Sequence, residues 1–501
     1  MHMHYTTTSN ARPITKHNHP ALPTEQGGLI LTDSTMLDLW QHANGQVLDD
    51  IIATFQASDV SPIEIRAALA CLAEAGLLNR QSPISTETPN GKVNNHSVSV
   101  IIVSYNSQSW LETCLPSLLS QSHEPIEIIV VDNASEDGTA DWVSKNYPDI
   151  TLIAQYVQRS LANGLNTGIE AASSEYYLLL NPDVELELTA IANLVTNALD
   201  NPNCAAVAAN LMLQWAPAFI NGLGNYVGPV SWGTDVALGH LDLGQFDNWR
   251  EVPSACFATA LISRTAYNDV GPFDDKFPMY YEDSEWCYRA RLYGYSILAA
   301  PEAVGYHAFG GRPSSEKEVS LPPRKLRRVV YGRLRFSTKI LGPWYMVWFL
   351  CLYILEDITN MILAILGGQW GKLKAYTKAW SDFLNDLPEI LKARKAIQAR
   401  RQCTDKELFR LQKDIPMPLT WHGFPELTWD IVRHQYLPLI IAGQTRPLPE
   451  LESTPAEKPP VHSSGKLGQH IRRASNIWRA EGLSGLVHRI GRTIQWHLMR
   501  L

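Results

Sequence analysis

With 501 residues, 45% hydrophobic and 18% charged, the chain has the composition of a globular protein and more length than one domain fills, which sets aside a fibrous or wholly disordered chain. Seven cysteines stand singly with no CxxC pair, which argues against a zinc site or disulfide framework and fits the cytoplasm. The net charge of −8 hides a division: Arg324 to Lys339 and Lys466 to Arg500 each carry seven basic residues, with Glu481 the one acid, so together they stand at +13 and leave the remainder at −21. Segregated basic charge points to an anionic surface as partner.

Residues 1–24 lack the apolar run of a signal peptide and are expected to be a disordered tail, in which His2, His4, His17 and His19 offer a metal-binding alternative. Residues 25–82 are expected to form a small winged-helix-like domain. A short apolar strand precedes Thr32 or Asp33, either of which can cap a helix carrying Met36, Leu37 and Trp40. Gly45 ends that helix, and Leu48, Ile51, Ile52 and Phe55 then repeat at helical spacing. Pro62 sits at the first position of a third helix with Ile65, Leu69, Leu72 and Ala73 on its inner face, closed by Gly76. Leu39-Trp40, Gly45 and the run Leu72 to Leu78 resemble the PqqD-like peptide-binding domains, which implies a peptide partner. A plain docking or oligomerisation domain fits the same residues. Only Arg66 is basic in the third helix, too few phosphate contacts for a nucleic-acid partner. Residues 83–97, rich in Pro, Gly and Asn, read as a linker.

Residues 98–315 read as an α/β domain. Val98 to Val103 and Ile126 to Val131 are apolar runs of the kind buried on both faces of a parallel sheet. Trp110, Leu111, Cys114, Leu115 and Leu118 between them have helical spacing. Ser104-Tyr105-Asn106 and Asp132 follow the two runs, at the carboxyl ends where open α/β sheets bind ligands. Asp132 can hydrogen-bond a base edge or ribose there, or cap the next helix. Tyr177 to Leu180 is a third apolar run; it leads through Asn181-Pro182 to Asp183, a candidate cation ligand in what is otherwise a plain turn. Glu282-Asp283 follows Phe277, Tyr280 and Tyr281, a setting for a general base, while Glu285 and Arg289 have the spacing of an ion pair.

The order and spacing of SVIIVSYNS, VVDNASEDGT, LNPD and FPMYYEDSEWCYR resemble family 2 glycosyltransferases of the GT-A fold, in particular the rhamnosyltransferase-like branch. The resemblance covers about 98–315 and implies a Rossmann-like, mixed, mostly parallel sheet. By that similarity Ser104, Tyr105, Asp132 and Asn133 would hold the nucleotide, Asn166 and Gly168 would lie near the donor diphosphate, and Asn181 would offer a neutral oxygen beside them. Asp183 would bind Mg²⁺ or Mn²⁺, with His307 of YHAFGG as a further ligand. Asp283 would be the base, with Glu282 beside it. The chain departs from the family at Gln158 and Ser160, where Asn and Gly are common, so the donor loop is expected to differ in shape. It has no downstream Gln-x-x-Arg-Trp signature, which favours one sugar per encounter. Residues 214–250, with Trp215, Trp232 and Trp249, read as a variable acceptor loop or a floppy insertion.

Residues 316–402 are expected to be basic and apolar helices. Trp344 to Leu355 is apolar, Glu356-Asp357 interrupts, and Ile358 to Leu366 continues, which suits an interfacial pair, a membrane-embedded hairpin or a lid on the catalytic domain. Residues 403–465 read as irregular and proline-containing. Residues 466–501 read as a basic amphipathic helix for a membrane surface or for docking on the protein itself. The whole implies an inverting, metal-dependent transferase. It would take a nucleotide-sugar donor and a glycan or lipid-linked acceptor on the inner face of the cell membrane. Glycosylation of a peptide delivered by the N-terminal domain, and a non-catalytic scaffold, are the other readings.

Overall fold

The computed structural model describes residues 4–7, 14–16, 19–23, 29–31, 34–56, 62–74, 77–81, 95–228, 233–242, 244, 246–310 and 321–415. The expected basic amphipathic helix at 466–501 and most of the irregular segment at 403–465 lie outside these residues.

The N-terminal unit contains β1 (His4–Thr7), β2 (Ile14–Lys16), β3 (His19–Pro23), β4 (Leu29–Leu31), α1 (Ser34–Ala43), β5 (Gln46–Val47), α2 (Leu48–Gln56), α3 (Pro62–Glu74) and β6 (Leu78–Gln81). The expected helix faces are the buried ones: Leu48, Ile51, Phe55, Ile65, Leu69 and Leu72 share one core with Leu39 and Trp40. Trp40 anchors the closing strand by donating its indole N–H to the Leu77 carbonyl at 3.1 Å. The expectation of a disordered tail over 1–24 fails at Ile14–Lys16 and His19–Pro23, which pair with each other, and at His4–Thr7. That strand pairs with β5 and β6, because Tyr5 has a core to enter and its carbonyl accepts from the Gly45 amide at 2.8 Å.

The central domain is built on β7 (Val98–Ser104), β8 (Ile126–Asp132), β9 (Thr151–Ala154), β10 (Tyr176–Leu180), β11 (Val184–Leu186), β12 (Cys204–Leu213), β13 (Ala216–Gly222), β14 (Asn225–Val227), β15 (Gly233–Asp235), β16 (Thr259–Ser263) and β17 (Ser296–His307). Its helices are α4 (Gln108–Leu119), α5 (Thr139–Asn146), α6 (Leu161–Ala171), α7 (Ala190–Asp200), α8 (Arg264–Val270) and α9 (Glu282–Leu292). Nine strands form one mixed sheet in the order β11-β17-β12-β16-β10-β7-β8-β9, with β13 on β12. The strands β10, β7, β8 and β9 run parallel, so the carboxyl ends of the first three open on one edge. Beyond β10 the pairings with β16 are antiparallel, while β12 and β17 run parallel to each other. Apolar residues cover both faces of β7, β8 and β10, as in a sheet with helices on either side. On α6, Gly164 and Gly168 lie against β7 so closely that a Cβ would come within 2.7 Å of Val103 and 2.4 Å of Ile101.

The described residues of 214–250 are structured rather than floppy. β13 extends the sheet, β14 and β15 form a ribbon, and Leu213, Phe219 and Leu241 join the core of the N-terminal unit. The small domain therefore braces the insertion.

The C-terminal helices α10 (Pro323–Ile340), α11 (Pro343–Leu366) and α12 (Trp370–Ala399), with α13 (Asp405–Leu408), share the central core through Tyr331, Phe336, Phe349, Tyr353 and Phe383. Two expectations change here. The apolar, acidic and apolar stretches of 344–366 are one 24-residue helix, with mean hydropathy 1.9 over its 18-residue apolar window, long and apolar enough by composition to cross a membrane. The acids do not interrupt it because Arg333 of α10 takes both: it pairs with Glu356 at 2.7 Å and with Asp357, and lies over the Tyr353 ring at 4.4 Å. The basic stretch of α10 is likewise not one anion-facing surface. Arg333, Arg335 and Lys339 are buried, the last two paired with Asp274 at 2.8 and 2.6 Å. A charge enters a core only with a partner, and these three have theirs.

Candidate active site

Three groups of polar side chains meet at the carboxyl edge of the sheet. The first stands at the ends of β7 and β8, where Ser104 and Asp132 are register partners. Asp132 accepts from the Ser135 amide at 3.0 Å with one oxygen. Its other oxygen and the Ser104 hydroxyl are buried and have no protein partner. Buried polar atoms left unsatisfied mark places where a ligand belongs. Tyr105 follows, half exposed, and Asn106 holds the facing loop by accepting from the Glu136 amide at 2.8 Å.

Several expected nucleotide and diphosphate residues are occupied with the protein itself. Asn133 clasps the backbone of Arg159, donating to its carbonyl at 3.1 Å and accepting from its amide at 2.8 Å. Asn166 donates to the Phe273 carbonyl at 2.9 Å and accepts from the Phe273 amide and the Tyr267 hydroxyl at 3.0 and 2.9 Å. Gly168 is a packing glycine beneath β7. Asn133 and Asn166 therefore hold the loops around this edge, and Gly168 admits α6 against the sheet. The unusual Ser160 caps α6 by accepting from Asn163 at 3.2 Å and ties down the Asp275 carbonyl at 2.8 Å, which a glycine could not do.

The second group lies where the β10–β11 turn meets the end of β17. Val184 and His307 are register partners, which brings the Asp183 carboxylate to 3.3 Å from His307 Nε2. Asn181 starts this turn, its amide bonded to the Ala258 carbonyl at 2.9 Å. His307 Nδ1 lies 2.7 Å from the Asn221 side-chain oxygen on β13. An amide oxygen accepts and cannot donate, so Nδ1 carries a proton and Nε2 is the nitrogen turned to the carboxylate. One carboxylate oxygen and one imidazole nitrogen suit a divalent cation whose remaining positions go to phosphate and water. No group of three such ligands exists among the described residues, so the pair would rely on the donor to complete the sphere.

The third group sits at the start of α9. Tyr280 and Tyr281 hold φ of 72° and 71°, a left-handed pair that costs energy without glycine and is kept by packing against α10. The Tyr281 ring presses on Gly332, where a Cβ would lie 2.6 Å away, and its hydroxyl accepts from the Gly233 amide at 2.9 Å. The turn brings Glu282 and Asp283 inward. Asp283 accepts from the Asn225 side chain and from the Ser284 amide, both at 2.6 Å. Burial, then the charge of Asp283, pushes the Glu282 carboxyl up to about 8. Burial also raises Asp283, although the bonds from Ser284 and Asn225 favour its ionised form. Glu285 pairs with Arg289 at 3.1 Å and with Lys339 at 2.8 Å.

The insertion contributes residues that motif reading missed. Asn221 orients His307, Asn225 orients Asp283, and Asp235 on β15 adds a third carboxylate. Burial and the charge of Asp283 push Asp235 up to about 7. Their only sequence signal is polarity in a stretch that also holds many apolar residues.

Residues 99–271 match the model of Glycosyl transferase family 2. This stretch is a family 2 glycosyltransferase domain. With its mixed α/β sheet it has the GT-A architecture expected from the sequence. The chain is similar to the low-salt glycan biosynthesis hexosyltransferase of Haloferax volcanii, at 29% identity over 201 residues, covering 39% of this chain and 61% of that protein. It is also similar to the poly-β-1,6-N-acetyl-D-glucosamine synthase of Staphylococcus epidermidis, at 25% identity over 215 residues, covering 41% of this chain and 48% of the synthase. The match thus spans about half to three fifths of these relatives. Among solved structures, the mannosyltransferase of Pyrobaculum calidifontis in complex with GDP-Man and Mn²⁺ aligns with TM-score 0.36 and 17% identity, over 65% of this chain and 99% of that one.

Proposed function

We propose that the protein is an inverting, cation-dependent glycosyltransferase that moves one sugar from a nucleoside-diphosphate donor to a hydroxyl acceptor, a lipid-linked precursor of a cell-surface glycan. The observation that carries this is the convergence at one sheet edge of the unsatisfied Ser104 and Asp132 atoms, the Asp183–His307 pair and Asp283.

Ser104, Tyr105 and Asp132 bind the nucleoside, with Asn133 and Asn166 fixing the loops around it. Asp183 and His307 hold Mg²⁺ or Mn²⁺, which when bound neutralises the charge of the departing diphosphate. Asp283 takes the proton from the acceptor hydroxyl as its oxygen bonds to the anomeric carbon and the bond to the diphosphate breaks on the opposite face. Burial, then the charge of Asp283, raises the proton affinity of Glu282, which crowds Asp283 from one side. One displacement with one base inverts the anomeric centre.

Membrane attachment at the inner face belongs to the same reading. The face of α11 away from the core exposes Trp344, Val347, Trp348, Leu355, Ile358 and Ile362, a helical apolar stripe. The test is a panel of nucleotide sugars with release of nucleoside diphosphate followed for the wild type and Asp283→Asn. Release from one donor, abolished in the variant, is the expected result. No release from any donor with lipid-linked acceptors present would remove the reading.

A further inference from the structure

A cleft of about 700 Å³ lies between the first half of α10, the first half of α12 and the loop at 276–278. Six cations and two carboxylates line it, a surplus of four positive charges. Asp382 is already engaged by Arg327 at 2.6 Å and Lys378 at 3.1 Å, and Asp386 accepts from the Tyr331 hydroxyl at 2.7 Å. The other four cations are Lys276, Arg324, Arg328 and Lys374. Among the described residues, none of their side chains has a carboxylate in salt-bridge range; Arg328 donates only to the Met279 sulfur at 3.4 Å. Partial burial, then the charges of Arg324 and Arg327, pull the Arg328 pKa below its ordinary value against the opposing effect of Tyr280 and Glu282, so the crowded positive charge is only partly offset. Convergent guanidinium and ammonium groups of this kind suit phosphate oxygens.

Two neighbours of the cleft say which phosphate. On one side the loop carrying Lys276 and Pro278 runs directly into Tyr280, Tyr281, Glu282 and Asp283, and Arg328 acts electrostatically on Glu282. On the other side Gly371, part of the cleft wall, follows Trp370 and Leu366, which are 65% and 78% exposed at the end of the apolar stripe of α11. The cleft thus joins the proposed base to the surface best suited to a bilayer. The nucleotide edge is separate: none of the cleft residues comes from the sheet.

We infer that this cleft seats the diphosphate of the lipid-linked acceptor, whose hydrocarbon chain lies in the membrane along α11 while its sugar reaches Asp283. This rests on the transferase reading above. It names the acceptor's phosphate as what the enzyme recognises and α10 and α12 as the elements that recognise it.

Flotation of the full-length protein, without donor, tests it. Three kinds of vesicle are compared: phosphatidylcholine alone, the same with phosphatidylglycerol, and the same with a long-chain polyprenyl diphosphate at equal charge. The wild type should bind the diphosphate vesicles most tightly. Arg324→Gln with Lys374→Gln should weaken that binding about tenfold or more. Lys392→Gln with Lys395→Gln, which removes the same charge from exposed positions of α12 outside the cleft, should not. Equal binding of the cleft variant and the wild type would overturn the inference. So would equal binding of phosphatidylglycerol and diphosphate vesicles, which would make the cleft a general anionic patch. Calorimetric binding of inorganic diphosphate to the cleft with no preference among vesicles would also overturn it, in favour of a soluble anion. Nucleoside-diphosphate binding is measured in parallel, and its loss in the wild type counts against the transferase reading rather than against the cleft.

Discussion

Two carboxylate clusters at the same sheet edge are built on opposite principles. Asp183 stands partly exposed beside a histidine whose second nitrogen is already committed to Asn221. The pair presents two donors in a fixed direction. Glu282, Asp283 and Asp235 are crowded together, so burial pushes all three up, and the charge of Asp283 adds to the shift of Glu282 and Asp235. The difference teaches that carboxylates of similar sequence appearance divide by environment. One environment suits a cation, and the other favours a proton.

The sharpest way to break this division is at Asp283. Asp283→Asn should lower transfer by about 10²–10⁴-fold while leaving donor affinity nearly unchanged, since only proton removal is lost. Titration of nucleoside diphosphate against the variant separates the two; affinity falling as far as rate would place Asp283 in binding. Asp183→Asn should come next. Transfer should fall about a hundredfold and the Mn²⁺ concentration needed for half-maximal rate should rise, because one hard anionic oxygen is removed. Full activity in EDTA would take the cation out of the mechanism.

Asn221→Ala leaves both ligands in place and removes only what orients the imidazole. Cation affinity should fall about 10–100-fold, with nucleoside binding kept when no cation is added. Equal Mn²⁺ binding to wild type and variant would show that Asn221 is not a positioning residue. The smallest effect concerns stability. The Glu282 carboxyl is raised from an ordinary 4.5 to about 8 in the folded protein, so between those values the native state keeps a proton that the unfolded chain releases. Stability should fall as pH rises through that window, by on the order of 1 kcal/mol after solvent relaxation. Glu282→Gln should flatten this slope, and thermal melts from pH 5 to pH 8, about the limits of the window, read it directly.

Local chemistry made much of the molecule legible in the amino-acid sequence alone. Apolar runs placed β7, β8 and β10, and the position of Ser104 and Asp132 just at their ends placed them at the ligand edge, because side-chain periodicity and burial are properties of neighbouring residues. The helix faces of the N-terminal unit followed for the same reason. What only the tertiary structure decided were the partners. Nothing local distinguishes Arg333 and Arg335, buried in ion pairs, from Arg324 and Arg328 in an open cleft on the same helix. Nothing local shows that Asn133 and Asn166 spend their amides on backbone, or that the insertion sends Asn221, Asn225 and Asp235 to the site. Charge and hydrogen-bond pairing join groups that can stand more than a hundred residues apart, such as Asn166 and Phe273 at a separation of 107. Sequence fixes what a side chain can do, but the fold decides which group it meets.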